Sequence, residues 1–162
     1  MVDETKNMPR NYTLCIVHKK DQVLLGMKKR GFGEGKWNGF GGKVQIGESI
    51  ENASKRELCE EVHIQADKMT KLGMLDFTHS NTIETSRVHI YKCHSFQGEV
   101  KESEEMIPKW FSVKDIPFGN MWKDDAFWMP LFLDNKVFIG SFAFSENQEI
   151  LEYKLKEVSA SD

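Results

Sequence analysis

The chain has few cysteines: Cys15, Cys59 and Cys93 are the three among 162 residues. Their odd number and wide spacing offer neither a disulfide framework nor a zinc-ligand pattern, which fits a reducing compartment. Long apolar runs are missing, so no segment reads as a membrane span. The opening Met1-Val-Asp-Glu-Thr-Lys-Asn-Met8 has no apolar core for a signal peptide, and its early Asp3 and Glu4 argue against a transit peptide. A basic excess is absent too. The net charge is −3 and the pI near 6.0, which argues against a binder of nucleic-acid polymers. Internal repeats and low-complexity segments do not occur. Two glycosylation sequons, at Asn11 and Asn52, read as chance matches in a cytoplasmic protein.

What is present suits one globular domain: 40% hydrophobic and 29% charged residues over a length that can bury a proper core. Residues 1–10 read as a flexible polar arm, 11–158 as the domain and 159–162 as a tail. Residues 12–18 and 23–28 are β-rich, and strand-like segments recur at 70–78, 86–94 and 107–113. Val137–Phe144 and Ile150–Leu155 flank Ser-Glu-Asn-Gln and read as a hairpin. A helix is expected from about Ser49, its N-cap, to Val62. Strands around one central helix imply an α+β or α/β sandwich with a mixed sheet.

The helix carries the chemistry. Glu57, Glu60 and Glu61 stand at i, i+3 and i+4 and share one face, where three like charges repel. A run of charge is ordinarily a solvated face, but Gly42, Gly47 and Glu48 stand at fixed distances upstream. Clustered carboxylate oxygens suit a hard cation such as Mg²⁺, which also takes oxygens from substrate phosphates. The segment therefore reads as a metal-and-diphosphate site.

Eight of the 12 glycines fall between Gly26 and Gly47. This marks a backbone that turns sharply or approaches something closely. Interleaved with them are lysines, Phe32, Trp37, Asn38 and Phe40. Aromatic faces stack on nucleobases, and Asn pairs with a purine edge. Further on, Asp124 and Asp125 sit beside Trp122 and Trp128. They read either as an acidic helix start or as two carboxyls meeting a base edge in an aromatic slot. Two close carboxylates in an apolar site do not both ionise cheaply, so one holds a proton.

The spacing Gly42, Glu48, Arg56-Glu57-Leu58, Glu60-Glu61 and Ile64 resembles the signature of the Nudix hydrolases, with His63 where that family has Gly. The motifs Val23–Gly33, Trp37–Gln45, Glu102–Met106, Trp110-Phe111, Ile116–Phe118 and Met121–Asp125 extend the resemblance to the animal MutT-homologue branch, the oxidised purine nucleoside triphosphate hydrolases. It runs from about Tyr12 to Val158.

The resemblance implies an α+β fold, an α/β/α sandwich with a mixed sheet and a central loop–helix. It implies hydrolysis of modified purine (deoxy)nucleoside triphosphates, of the 8-oxo-dGTP or 2-hydroxy-dATP type, to monophosphate and pyrophosphate. That activity sanitises the nucleotide pool. Asn38, Trp122, Asp124 and Asp125 would form the base pocket, with Thr13, Lys28 and Phe32 lining it. Mg²⁺, or Mn²⁺ in its place, would be held by Glu57, Glu60, Glu61 and the Gly42 carbonyl, with Glu105 nearby. Glu61 or Glu60 would be the general base, with Glu105 in reserve. Arg56 would orient a glutamate, and Glu48 would buttress the junction through Arg56. The alternatives are a hydrolase of another nucleoside diphosphate derivative and a non-catalytic nucleotide-binding module. The expected partner is the nucleotide alone, with no nucleic-acid polymer and no membrane. The chain is expected to be a cytoplasmic monomer, with a minor mitochondrial or nuclear pool left open. Histidine at 63 implies a strained helix end rather than lost catalysis. His18, His79, His89 and His94 read as structural or exposed, and the C-terminal Phe and Met residues as core.

Overall fold

The computed structural model describes residues 8–159. The expected arm at 1–10 and tail at 159–162 lie largely outside these residues, although strand β1 already opens at Arg10. β1 (Arg10–Lys19) and β2 (Gln22–Lys28) form a hairpin whose turn places Lys20 at φ 54°. A two-residue strand β3 (Trp37–Asn38) adds to β2. Helix α1 (Ile50–Val62) is followed by the long hairpin β4 (Gln65–His79) and β5 (Thr85–Gln97). β6 (Met106–Ser112) returns along the length of β2. A 3₁₀ turn at Phe118–Asn120 leads into α2 (Asp125–Leu133), and β7 (Val137–Phe144) with β8 (Ile150–Val158) forms the closing hairpin. The expected strands and the Ser49-capped helix are all present.

The sheet runs β3-β2-β1-β5-β4-β7-β8, with β6 also on β2. It is mixed, as expected: β1/β5 and β4/β7 are parallel and the other pairs antiparallel. The central strands are buried on both faces, so alternation feeds two cores. Cys15, Val17, Leu24, Tyr91 and Cys93 face Leu58 and Val62 of α1. Ile16, Val23, Leu25 and Ile90 belong to the other core, with Trp128, Met129 and Phe132 of α2. A helix of 13 residues is marginal alone, and α1 is held by burying Ala53, Leu58 and Val62. Among the described residues no helix is long and apolar enough to cross a membrane.

Among the described residues one lysine is buried. Lys92 on β5 is buried, donates to the Asn135 Oδ1 at 2.8 Å and lies 4.7 Å from the Phe132 ring centroid. Asn135 takes a left-handed φ of 57° just past the end of α2, so the lysine ties that end to the sheet. Burial pulls the Lys92 ammonium down to about 8, partly opposed by the Asp134 charge. His18 and His94 also feel its charge. A lysine whose folded value falls below its ordinary one disfavours folding while charged, and that penalty fades as pH rises through the folded value. Relative to a Lys92→Met variant, the protein should therefore gain about 2 kcal/mol of stability between pH 8 and 10, as measured by denaturant unfolding. A flat difference across that range would mean that the buried charge carries no penalty.

Candidate functional site

Helix α1 starts where Ser49 Oγ accepts the Asn52 N–H at 3.1 Å, which satisfies one of the free amides of the first turn. The helix ends at His63, in the left-handed region at φ 64°, its N–H donated to the Cys59 carbonyl at 2.9 Å. Between these points Arg56 spreads over three carboxylates. Its Nε and Nη2 grip Glu48 at 2.7 and 3.0 Å, and its Nη1 reaches Glu57 at 2.9 Å and Glu60 at 3.2 Å. Nη2 also donates to the Lys43 carbonyl at 3.2 Å, which locks the loop to the helix. Arg56 keeps the Glu48 carboxyl below the usual range, helped by the Gln45 N–H. Glu48 and Arg56 thus stand in the buttressing arrangement expected of them.

Glu61 lies one turn beyond Glu57 and is buried, its Oε2 accepting the Gly41 N–H at 3.1 Å. Burial, reinforced by the Glu57 charge, pushes Glu61 up to about 8. Burial also raises Glu57, against the pull of Arg56. Glu105 arrives from the other side, beside Lys28 at 3.7 Å, and its carbonyl accepts the Lys29 N–H at 2.8 Å. The glycines make this packing feasible. A Cβ on Gly41 would collide with the Thr13 carbonyl, and one on Gly42 would sit 2.6 Å from Glu57 Oε1. The Gly42 carbonyl accepts the Thr13 N–H at 2.9 Å.

These groups line one cavity of about 860 Å³, with Gly42, Glu57, Glu60, Glu61 and Glu105 in its wall. Among the described residues no three carboxylates close tightly enough to enclose an ion, and Glu57 and Glu60 are each paired with Arg56. The donors are all hard oxygens, and two of the carboxyls are held above their ordinary range. A divalent cation fits that chemistry, since its charge would reverse the shift.

A second cavity, of about 470 Å³, shares Lys28, Gly41 and Gly42 with the first. The expected Thr13, Lys28, Phe32, Asn38, Trp122, Asp124 and Asp125 all line it. Asn38 turns its Oδ1 back to the Gly39 N–H at 2.8 Å. Phe32, 75% exposed, stacks on Trp122 at 5.0 Å, and Lys36 lies 5.3 Å from the Trp122 ring. Asp124 and Asp125 are both buried at the start of α2, which is the acidic helix start that one sequence reading expected. Burial raises Asp124, opposed in part by Trp128 Nε1, which donates to its Oδ2 at 2.8 Å. Burial and the Asp124 charge raise Asp125 well above the usual range, and its Oδ2 has no hydrogen-bond partner among the described residues. Burial thus lifts both carboxyls, Asp125 further than Asp124, and the pair as a whole favours keeping a proton. Thr13 Oγ1 is likewise buried without a partner.

Three sequence readings change. Trp37 and Phe40 were grouped with Asn38 as pocket aromatics, but Trp37 packs edge-on against Phe111 at 4.9 Å and Phe40 lies in the α1-side core. Strand alternation explains the first, since neighbours on β3 face opposite ways. Phe144 is core, as read, and its ring in addition lines the second cavity with Phe77. His79 was read as structural or exposed, but it is in that wall too, stacked on Phe144 at 5.7 Å. These residues come from β4 and β7, whose alternation marks a buried face without saying that a cavity opens there.

Residues 8–132 match the NUDIX domain. The chain is 49% identical over 151 residues to the oxidized purine nucleoside triphosphate hydrolase of Mus musculus, across 93% of this chain and 97% of that one. It is 51% identical over 146 residues to the protein of the same name from Danio rerio, across 90% and 94%. A MutT protein of known structure from Bacillus halodurans superposes with a TM-score of 0.82 at 28% identity, covering 91% of this chain and 97% of that one.

His63 makes the helix end testable. A non-glycine residue in the left-handed region costs about 1 kcal/mol. His63→Gly should raise stability by about 0.5–1 kcal/mol with turnover within about twofold of the parent, as read by thermal melting beside a steady-state assay. A large gain in turnover would show that the histidine constrains the chemistry instead.

Proposed function

The chain belongs to the NUDIX family, and from that premise we propose that it hydrolyses modified purine (deoxy)nucleoside triphosphates to the monophosphate and pyrophosphate, cleansing the nucleotide pool. The observation that carries the reading is the joining of two cavities through Lys28, Gly41 and Gly42. One is walled by carboxylates suited to a cation on phosphates, and the other ends in a donor–acceptor carboxyl pair suited to a purine edge. We read residues 11–158 as one catalytic unit, acting as a monomer in the cytoplasm.

The family uses a divalent metal, and Mg²⁺, with Mn²⁺ as a substitute, is the ion we assign to Glu57, Glu60, Glu61, Glu105 and the Gly42 carbonyl. When bound, such an ion neutralises charge on the phosphates and lowers the pKa of water. Lys28 adds a point charge where the two cavities meet. Arg56 orients Glu57 and Glu60. Glu61, held protonated by burial in the metal-free site and ionised once a cation's charge offsets that burial, then takes the proton from the attacking water as the phosphorus–oxygen bond to pyrophosphate breaks; Glu60 and Glu105 are the alternative bases. In the second cavity Asp125 donates and Asp124 accepts along the base edge, Asn38 meets the purine, and Phe32 with Trp122 covers a ring face. Thr13 offers its hydroxyl from the floor.

Purified protein with Mg²⁺ should release pyrophosphate from 8-oxo-dGTP, 2-hydroxy-dATP or O6-methyl-dGTP faster than from dGTP. Glu61→Gln should cut that rate by about 10²–10⁴-fold. Turnover confined to ADP-ribose or a dinucleoside tetraphosphate would leave the family and overturn the substrate. Saturable nucleotide binding without Mg²⁺-dependent turnover would instead mark a binding module. Arg56→Lys cannot grip two carboxylates in a fork, so it should weaken Mn²⁺ binding about 10–100-fold in a direct titration.

A further inference from the structure

Away from both cavities, three sulfur atoms converge in the core that packs on α1. Cys15 lies on β1, Cys93 on β5 and Met69 on β4. Cys93 pairs with Val17 across β1 and β5, and Cys15 stands two residues before Val17, so the two cysteines share a face of the sheet. Met69 pairs with Cys93 across β4 and β5 and joins them on that face. Cys15 Sγ reaches Met69 Sδ at 3.9 Å. None of the three lines either cavity.

Both cysteines are fully buried and free of disulfides. A hydrogen bond with Cys93, then burial, raises the Cys15 thiol well above its ordinary value, and the same bond lowers Cys93. Cys93 Sγ also donates to the Ser95 carbonyl at 3.3 Å. Met69 is half-buried, which leaves an approach from the surface. Ser54 of α1 faces Cys15 and partly offsets its rise, yet the fully buried Ser54 Oγ makes no well-formed hydrogen bond among the described residues. Close packing accounts for buried sulfur but not for a buried hydroxyl left without a partner. A thiolate at Cys15 would accept that hydroxyl, and a thiol is deprotonated outright when it ligates a metal.

We propose that Cys15, Cys93 and Met69 form a three-coordinate site for a soft monovalent cation, copper(I), with Ser54 donating to the Cys15 sulfur. Thiolates joined by a thioether select copper(I), whereas structural zinc takes four ligands, and here three sulfurs meet. Metal–sulfur bonds of about 2.3 Å in a trigonal plane hold sulfurs about 4 Å apart, the separation that Cys15 and Met69 already have. Each cysteine that binds gives its proton to solvent. The ion then ties β1, β4 and β5 together where α1 packs on them.

The test is anaerobic titration of the purified protein with copper(I) against a chromogenic copper(I) chelator, in a Cys59→Ser background that removes the exposed thiol. One equivalent should bind, with a thiolate-to-copper absorption in the ultraviolet. At a free concentration about 100 times Kd it should raise the melting temperature by about 5–10 °C. Cys15→Ala and Cys93→Ala should each lose that equivalent, and Ser54→Ala should weaken it about 10-fold. Met69→Leu conserves volume, so it serves where a cysteine variant does not fold, and it should weaken copper binding by at least about 10-fold. No copper bound once Cys59 is gone, or an affinity unchanged in Met69→Leu, would overturn the site.

Discussion

The site depends on one guanidinium. Arg56 grips Glu48 in a fork, reaches Glu57 and Glu60, and donates to the Lys43 carbonyl. Three acids on one side of a loop–helix junction would otherwise repel, and a planar, permanently charged fork can bind several of them at fixed angles. Removing it would loosen the glycine loop from α1 as well as free the acids. The loop also sets the backbone of Gly41 and Gly42 against β1. The order of the carboxylates and the shape of both cavities therefore descend from the same contact.

Those two glycines do a job that sequence pattern alone states only in part. Their concentration announced a close approach, and the structure identifies the neighbour: the Thr13 carbonyl for Gly41 and the Glu57 carboxylate for Gly42. Any side chain at Gly41 would push the loop off β1. The Gly42 carbonyl would then lose the Thr13 N–H, and Glu61 would lose the Gly41 N–H. Because Gly41, Gly42 and Lys28 belong to both cavities, a shift there would alter both at once.

Most of the fold was legible because its signals are local. β-rich runs, the Ser49 cap and the hairpin turns each lie within a few residues. The left-handed end at His63 was legible as well, from a single departure in an otherwise matching pattern. The site was legible where side chains cluster along the chain, as at Glu57-Glu60-Glu61 and at Asp124-Asp125. It was not legible where sheet register brings distant strands together. Ser86 reaches Phe77 and His79 reaches Phe144 only through pairing of β4 with β5 and β7. Trp37 was grouped with Asn38 by composition alone, and strand geometry turns neighbours to opposite faces.

Burial does opposite work at the two ends of the joined cavities. At Glu61 and Glu57 it raises carboxyls that stand together on α1, so ionising them both is costly until positive charge enters. Such a site is incomplete by electrostatics, and a cation completes it. At Asp125 burial also raises a carboxyl, but the opposing charge, Lys36, is a lesser influence than burial and Asp124. The cheaper state there is a retained proton, which converts an acceptor into a donor. Desolvation is thus common to both sites, and the second charge within reach decides its outcome. A carboxylate moved from α1 to the α2 start would lose its use as a ligand. An arginine placed beside Asp125 would ionise it and leave two acceptors where a retained proton supplies a donor beside an acceptor.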